Sequence, residues 1–257
     1  MARVILISNA KGGVGKTTTA RELSAGLAIE GYNVLGVDFD PQGNFSLGCG
    51  AERYDVATSY HFITGKATFE EVIQRVNGFD IIPANSMLNA AEAEIPTIGR
   101  EYKLKEKLTP IADNFDFIII DPPPGLGFFT ISGFVAATEV IIPSEAAIFS
   151  VDAVDKIYDM IKNVKTYLNR DIIVAGILLT MYDDRTINGQ SMKNLTKELS
   201  KELGTEELEI PVFDQYIRSS VRIPDSQEKG INIFEYAPRS TVAEDYRAFI
   251  KEYLGKE

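Results

Sequence analysis

The eight residues Lys11-Gly12-Gly13-Val14-Gly15-Lys16-Thr17-Thr18 bring together two ammonium groups, two hydroxyls and three glycines. That combination is suited to gripping polyphosphate. The glycines let successive backbone N–H groups turn inward around phosphate oxygens, and a helix starting at the loop adds the positive end of its dipole. Lys16 is placed to reach β- and γ-phosphates, and Thr17 to set its hydroxyl on Mg2+. Gly12, Gly13, Val14, Gly15 and Thr18 complete the predicted nucleotide-binding loop. The usual pattern opens on glycine, but this chain has Ala10 there and follows it with a second lysine, Lys11. A lysine at that point cannot easily fold back onto its own nucleotide. The natural place for its charge is a phosphate held by another subunit, so the loop predicts a homodimer with nucleotide in the interface.

Two further segments place carboxylates where such a site needs them. One reads Val37-Asp38-Phe39-Asp40-Pro41-Gln42-Gly43-Asn44, the other Ile120-Asp121-Pro122-Pro123-Pro124-Gly125, and each follows an apolar run. Neighbouring strands lie about 4.8 Å apart, so two strand ends can converge on one cation. Mg2+ keeps several waters and few direct carboxylates. Asp38 and Asp121 are therefore expected to hold it through water. Asp40 follows two residues later and faces the same way as Asp38 if the strand persists. It is better placed to reach past the metal and orient an attacking water.

Strands and helices must alternate to position these groups, and the hydrophobic pattern does alternate. Short apolar runs at 4–7, 34–37, 79–82, 117–120, 140–142, 172–179 and 208–213 read as strands buried on both faces. Helical patterns at 19–30, 68–76, 101–112, 151–168, 190–203 and 242–254 lie between or after them. The expected fold is α/β: a doubly wound, mostly parallel sheet with helices on both faces, as in P-loop NTPases. In such folds ligands bind at the carboxyl ends of the strands, where the polar motifs fall. No linker, repeat or low-complexity stretch divides the 257 residues, which predicts a single domain over 1–257. The lone Cys49 excludes an intrachain disulfide or a cysteine-ligated cluster within one chain, and the lone His61 excludes a metal site built on histidines. No apolar run approaches ~18 residues, and the chain enters a strand at once, so a cytoplasmic protein is expected. The formal net charge of −11 means that any DNA contact must come from a local basic patch.

Lys-Gly-Gly-Val-Gly-Lys-Thr-Thr-Thr at 11–19 and Asp-Phe-Asp-Pro-Gln-Gly-Asn at 38–44 resemble the deviant Walker-A ATPases of the ParA family, of the short type. Asp121-Pro122-Pro123-Pro124 fits the third motif of that family, and Ile82-Pro83-Ala84, Arg185-Thr186 and Val221-Arg222 extend the resemblance along the chain. The resemblance implies an ATP- and Mg2+-dependent homodimer that binds double-stranded DNA non-specifically. A ParB-like centromere-binding partner would stimulate hydrolysis, and the protein would associate with the nucleoid. It makes Lys11 the lysine that crosses to the partner's nucleotide, Lys16 the Walker lysine, Thr17 the metal ligand and Asp40 the residue needed for hydrolysis. The adenine-side loop of the family reads Ile-Pro-Arg-Asn-Val-Arg; here Arg218 and Ser220 stand in place of its proline and asparagine. They are the expected nucleotide contacts on that side.

Lys193, Lys197 and Lys201 recur every four residues and share one helical face. With Arg222 and Arg239 they form the expected DNA-binding patch. The competing reading is a MinD-like or other cargo-positioning ATPase acting on a membrane or protein surface. Membrane binding would need a C-terminal amphipathic helix with a basic polar face. The 242–254 segment mixes Glu244, Asp245, Arg247, Lys251 and Glu252 on its polar side, which suits docking onto the core and predicts no membrane contact.

Overall fold

The central strands are apolar between their ends because both faces of the sheet are covered. The computed structural model describes residues 2–145, 151–182, 194, 196–198, 201, 204 and 208–255, with 151–157 described by their backbone alone. Its eight strands are β1 (Arg3–Ile7), β2 (Val34–Asp38), β3 (Gln74–Val76), β4 (Phe79–Ile82), β5 (Phe117–Asp121), β6 (Glu139–Glu145), β7 (Ile173–Tyr182) and β8 (Val212–Arg218). They form one sheet in the order β3-β4-β2-β5-β1-β6-β7-β8, parallel throughout except for the β3–β4 pair. Neighbouring residues of one strand serve opposite cores. Leu6, Ile118, Ile120 and Val140 face one cluster. Ile5, Ile7, Ile119 and Ile141 face the other. This is the period of two expected of a pleated strand.

One face carries α1 (Lys16–Ile29), α2 (Asn44–Gly48), α9 (Arg222–Glu228), α10 (Ile233–Tyr236) and α11 (Thr241–Tyr253); the other carries α3 (Ser59–Thr64), α4 (Phe69–Val72), α5 (Leu88–Glu94), α6 (Lys103–Leu108), α7 (Phe128–Ala136) and α8 (Val151–Tyr167). The doubly wound parallel sheet is thus as expected, with three local departures. The 68–76 segment is helical only to Val72; Gln74–Val76 then turns back on β4 through Asn77 and Gly78, both at positive φ (48° and 85°). Asn-Gly is the dipeptide that a two-residue hairpin turn of this kind requires. The 101–112 helix is broken into short 3-10 turns on either side of α6, the second beginning Thr109-Pro110. Leu208 and Ile210 are buried as expected of a strand, but the ladder starts only at Val212. Pro211, without an N–H, immediately precedes it. At the described positions of the 190–203 segment the backbone is helical. Among the described residues no helix is long and apolar enough to cross a membrane.

Candidate active site

The phosphate loop bridges β1 and α1, and two side chains pin its shoulders to the sheet. Asn9 Nδ2 donates to the Pro143 carbonyl at 2.7 Å, while its Oδ1 accepts from the Lys11 N–H at 3.0 Å. Thr180 Oγ1 donates to the Val14 carbonyl at 2.9 Å. Between these anchors Gly13 and Gly15 take φ of 77° and 85°, and Gly15 caps α1. A side chain on Gly12 or Gly13 would meet nothing within 4 Å, so space is open beside the loop at both positions.

The two lysines point to different duties. Lys16 is buried, 7% exposed, and its Nζ donates to the Lys11 carbonyl across the loop at 2.9 Å. Burial lowers its pKa, against the opposing pull of Asp121 and Asp40. The Lys11 side chain reaches instead to the sheet, where its Nζ stands 3.7 Å from Glu145 Oε2 at the end of β6.

Asp38 and Asp121 are directly opposite one another in the β2–β5 ladder, and both are fully buried. They do different work. Asp38 Oδ2 accepts from the Ser46 N–H (2.8 Å) and hydroxyl (2.6 Å), and Oδ1 accepts from the Asp40 N–H (3.2 Å). Burial pushes its carboxyl up to about 6 against these donors. The expectation that Asp38 holds the metal is thereby revised: its oxygens are engaged in fixing the β2–α2 loop. Asp121 is the opposite case. Among the described residues neither of its oxygens has a hydrogen-bond partner of normal geometry. Burial, then the Asp38 charge, raises its pKa well above the usual carboxylate range, and the neighbouring Thr17 hydroxyl and Lys16 temper that rise. A buried, unpartnered carboxylate beside a half-buried threonine at a helix start fits a hydrated Mg2+.

Asp40 does not continue the strand. β2 ends at Asp38, and Asp40 opens a turn in which its Oδ1 accepts from the Gln42 N–H and its carbonyl from the Gly43 N–H, both at 2.9 Å. Its carboxyl is 6% exposed and raised by burial, with Gln42 and Lys16 opposing. Gly43 closes the turn at φ 64°, where a Cβ would lie 2.4 Å from the Ala84 carbonyl oxygen. Only glycine fits this turn without a shift.

On the far side of the loop a cavity of about 290 Å3 opens between Gly15, Thr18, Ser219, Ser220, Pro224 and Tyr246. Arg218 and Ser220 border it as expected. Their side chains are otherwise occupied: the Arg218 guanidinium is held by Asp245, with Nη2 2.6 Å from Oδ1, and Ser220 Oγ accepts from the Arg222 N–H at 3.2 Å. The Arg218 guanidinium is thus already paired within the chain. Gln227 Nε2 reaches Thr18 Oγ1 at 3.3 Å.

The expected basic patch is only partly assembled. Lys193 lies outside the described residues. Lys197 Nζ donates to Asp214 Oδ1 at 2.6 Å, so part of its charge is neutralised. Lys201, Arg222 and Arg239 are exposed; Arg222 opens α9 beside the cavity, and Arg239 precedes α11.

The sequence also hid a buried ion pair. Arg21 and Glu22, adjacent in α1, are both fully buried and bonded to each other. Arg21 donates to the Gly48 carbonyl (3.2 Å) and to Ser226 Oγ (2.7 Å), and Glu22 Oε2 accepts from the Ile233 N–H at 2.9 Å. The pair ties the phosphate-loop helix to α2, α9 and α10. Their only signal was two charges interrupting an otherwise small and apolar helix.

The comparisons with known proteins agree with this geometry. The family model described as an AAA domain matches residues 2–174. The sporulation initiation inhibitor protein Soj of Bacillus subtilis (strain 168) is 38% identical over 256 residues, covering 98% of each chain. The chromosome-partitioning ATPase Soj of Treponema pallidum (strain Nichols) is 35% identical over 260 residues, covering 100% of this chain and 99% of its own. The chain belongs to the ParA family of ATPases. A solved structure of cobyrinic acid a,c-diamide synthase from Mycobacterium smegmatis, with bound ATP analog and magnesium, superposes with a TM-score of 0.86 at 30% identity. It covers 99% of this chain and 94% of that one. The ParA-family core therefore accounts for the loop, the paired strand-end aspartates and the turn that carries Asp40.

Proposed function

We propose that this ParA-family ATPase is a partition switch. It closes into a homodimer on ATP, binds double-stranded DNA without sequence preference in that state, and is released when a ParB-like partner stimulates hydrolysis. The observation that carries the reading is the division between its lysines: Lys16 turned into its own loop, Lys11 turned out of it. Backbone N–H groups of 12–17 and the Lys16 ammonium bind the phosphates. Thr17 and Asp121 would hold Mg2+, Asp121 through water, and the metal neutralises charge on the phosphoryl oxygens when bound. Asp40 orients the attacking water, and its turn, pinned by Asp38 and Gly43, sets the angle. Lys11 supplies its charge to the partner's phosphates, which makes dimerisation depend on nucleotide.

Support for a DNA surface rather than a membrane comes from α11. Its apolar residues Val242, Tyr246, Phe249 and Ile250 are buried against the core, which leaves that face unavailable to lipid. The exposed Lys201, Arg222 and Arg239 are doubled by a dimer, so two weak patches act together. The test is a surface-binding titration of duplex DNA with Asp40→Ala protein and ATP at two salt concentrations. Binding that is ATP-dependent, indifferent to sequence and steeply salt-dependent is expected, each phosphate contact adding about −0.9 to the log–log slope. Absence of binding at low salt by dimers of that variant would overturn the DNA assignment.

A further inference from the structure

We propose that Asp245 is a positioning residue of the nucleotide site, acting through Arg218 to hold the base-side wall of the cavity. The proposal rests on the ATPase reading and takes the cavity bordered by the adenine-side residues Arg218 and Ser220 as the site of the base. One carboxylate engages both the main chain and the side chain of Arg218. Asp245 Oδ2 accepts the Arg218 backbone N–H at 3.0 Å, and its oxygens receive Nε at 3.0 and 3.2 Å and Nη2 at 2.6 Å. With the peptide and the guanidinium fastened to the same group, neither can rotate alone. Asp245 is itself well supported, 7% exposed on a helix capped by Ser240, next to Tyr246, which lines the cavity.

The segment so held lies where the sheet ends. Arg218 is the last residue of β8, an edge strand, and the next N–H, from Ser219, reaches Tyr182 at a long 3.4 Å. Ser220 accepts from the Arg222 N–H on its hydroxyl and from the Ile223 N–H on its carbonyl, and Val221 is 78% exposed. In the family pattern that this loop resembles, a proline occupies the position of Arg218. Proline fixes φ by its own ring. Arginine has no such ring, and the contact from α11 supplies a constraint from outside. The Arg218 N–H points to Asp245 and away from β7, so a proline at this position would lose no sheet bond.

The same helix provides an internal control. Two turns beyond Asp245, Glu252 accepts the N–H groups of Asp214 and Gln215 at 2.7 and 2.8 Å. It fastens the middle of β8 to α11 through two residues that are not part of the cavity lining. A purely structural role for these carboxylates predicts similar consequences from losing either. A positioning role predicts that only Asp245 affects the base.

The experiment measures the affinities of ATP and of inorganic tripolyphosphate, each with Mg2+, by titration calorimetry. Tripolyphosphate engages the phosphate loop but not the base wall. Asp245→Ala is expected to weaken ATP roughly tenfold, the worth of a charged hydrogen-bond set, and to leave tripolyphosphate within about twofold. The isosteric Asp245→Asn covers the case in which alanine disturbs folding, with a smaller loss in the same direction. Glu252→Gln should change neither ligand, and Arg218→Pro added to Asp245→Ala should recover most of the ATP affinity. Equal weakening of both ligands, or unchanged ATP affinity in both Asp245 variants, would overturn the positioning role while leaving the ATPase reading intact. An unaltered chain that binds tripolyphosphate but not ATP would overturn the cavity assignment and this role together.

Discussion

Replacing Asp121 with asparagine is expected to stabilise the empty protein while it weakens Mg2+-dependent ATP binding. The carboxylate is fully buried at the end of β5, opposite Asp38, and lacks a partner of normal geometry among the described residues. A buried polar group in that condition costs about 1–3 kcal/mol, and more when charged. The asparagine keeps the shape and removes the charge, so a gain of about 2 kcal/mol is expected. For a chain of this size that raises Tm by roughly 4–8 °C. The pH dependence fixes the sign. The folded pKa lies well above the usual 3.8, so above about pH 4 the unfolded chain releases this proton more readily than the folded one. The unaltered protein therefore loses stability from this group as pH rises toward its folded pKa. The variant lacks that slope, and its advantage widens from pH 5 to pH 8. Calorimetric scans at both pH values, with and without Mg2+ and a non-hydrolysable ATP analogue, measure both effects. A variant that melts below the unaltered protein at pH 8, or that keeps the full Mg2+-dependent rise in Tm, would refute the reasoning.

Lys11→Ala should bind ATP yet fail to dimerise by light scattering with that analogue. Glu145→Gln, releasing a half-exposed pair worth no more than about 0.5 kcal/mol, should tighten the dimer about twofold. Dimers of normal strength from Lys11→Ala would remove the crossing role. Asp40→Ala should bind ATP and dimerise while turnover falls about 100-fold or more, the usual scale for a lost proton-handling group; unchanged phosphate release with partner and DNA present would exclude it. Arg21→Met leaves Glu22 buried without its cation and should cost about 3–5 kcal/mol in urea unfolding, with the double variant Arg21→Met/Glu22→Gln recovering much of it. Because Glu22 already sits above its usual pKa through burial, the loss should be greater at pH 8 than at pH 5.

What could be read in the chain was local. The phosphate loop is contiguous, so its glycines and lysines declare themselves, and apolar runs locate the strands that carry Asp38 and Asp121. What stayed hidden depends on partners distant in sequence. Asp38 looks like Asp121 until Ser46, eight residues on, occupies it. Arg218 looks like a nucleotide contact until Asp245 claims it from 27 residues away. Arg21 and Glu22 look like a solvated pair because charges on a helix usually are; only the convergence of α2, α9 and α10 buries them. The β3–β4 hairpin was legible in Asn77-Gly78 but was masked by a helical pattern running through Val72 into Gln74. α7 escaped because it is buried on nearly all sides and shows no amphipathic period.

The lone thiol gives the site a clock. Cys49 caps α2, immediately after the Gly48 carbonyl that receives Arg21, and its own carbonyl accepts from Asn77 at 2.8 Å. It is 2% exposed, and burial holds its thiol well above the usual range, so alkylating reagents meet no thiolate while α2 is seated. Modification then proceeds only through excursions that unseat α2, the segment lying between the Asp40 turn and α9. With one cysteine in 257 residues, every labelled molecule reports that one excursion. Each tenfold change in labelling rate corresponds to about 1.4 kcal/mol in the free energy of opening when reclosing is fast. The rate of a simple thiol reaction thus reads out, without any added probe, whether nucleotide, magnesium or a second subunit steadies the helix beside the Asp40 turn.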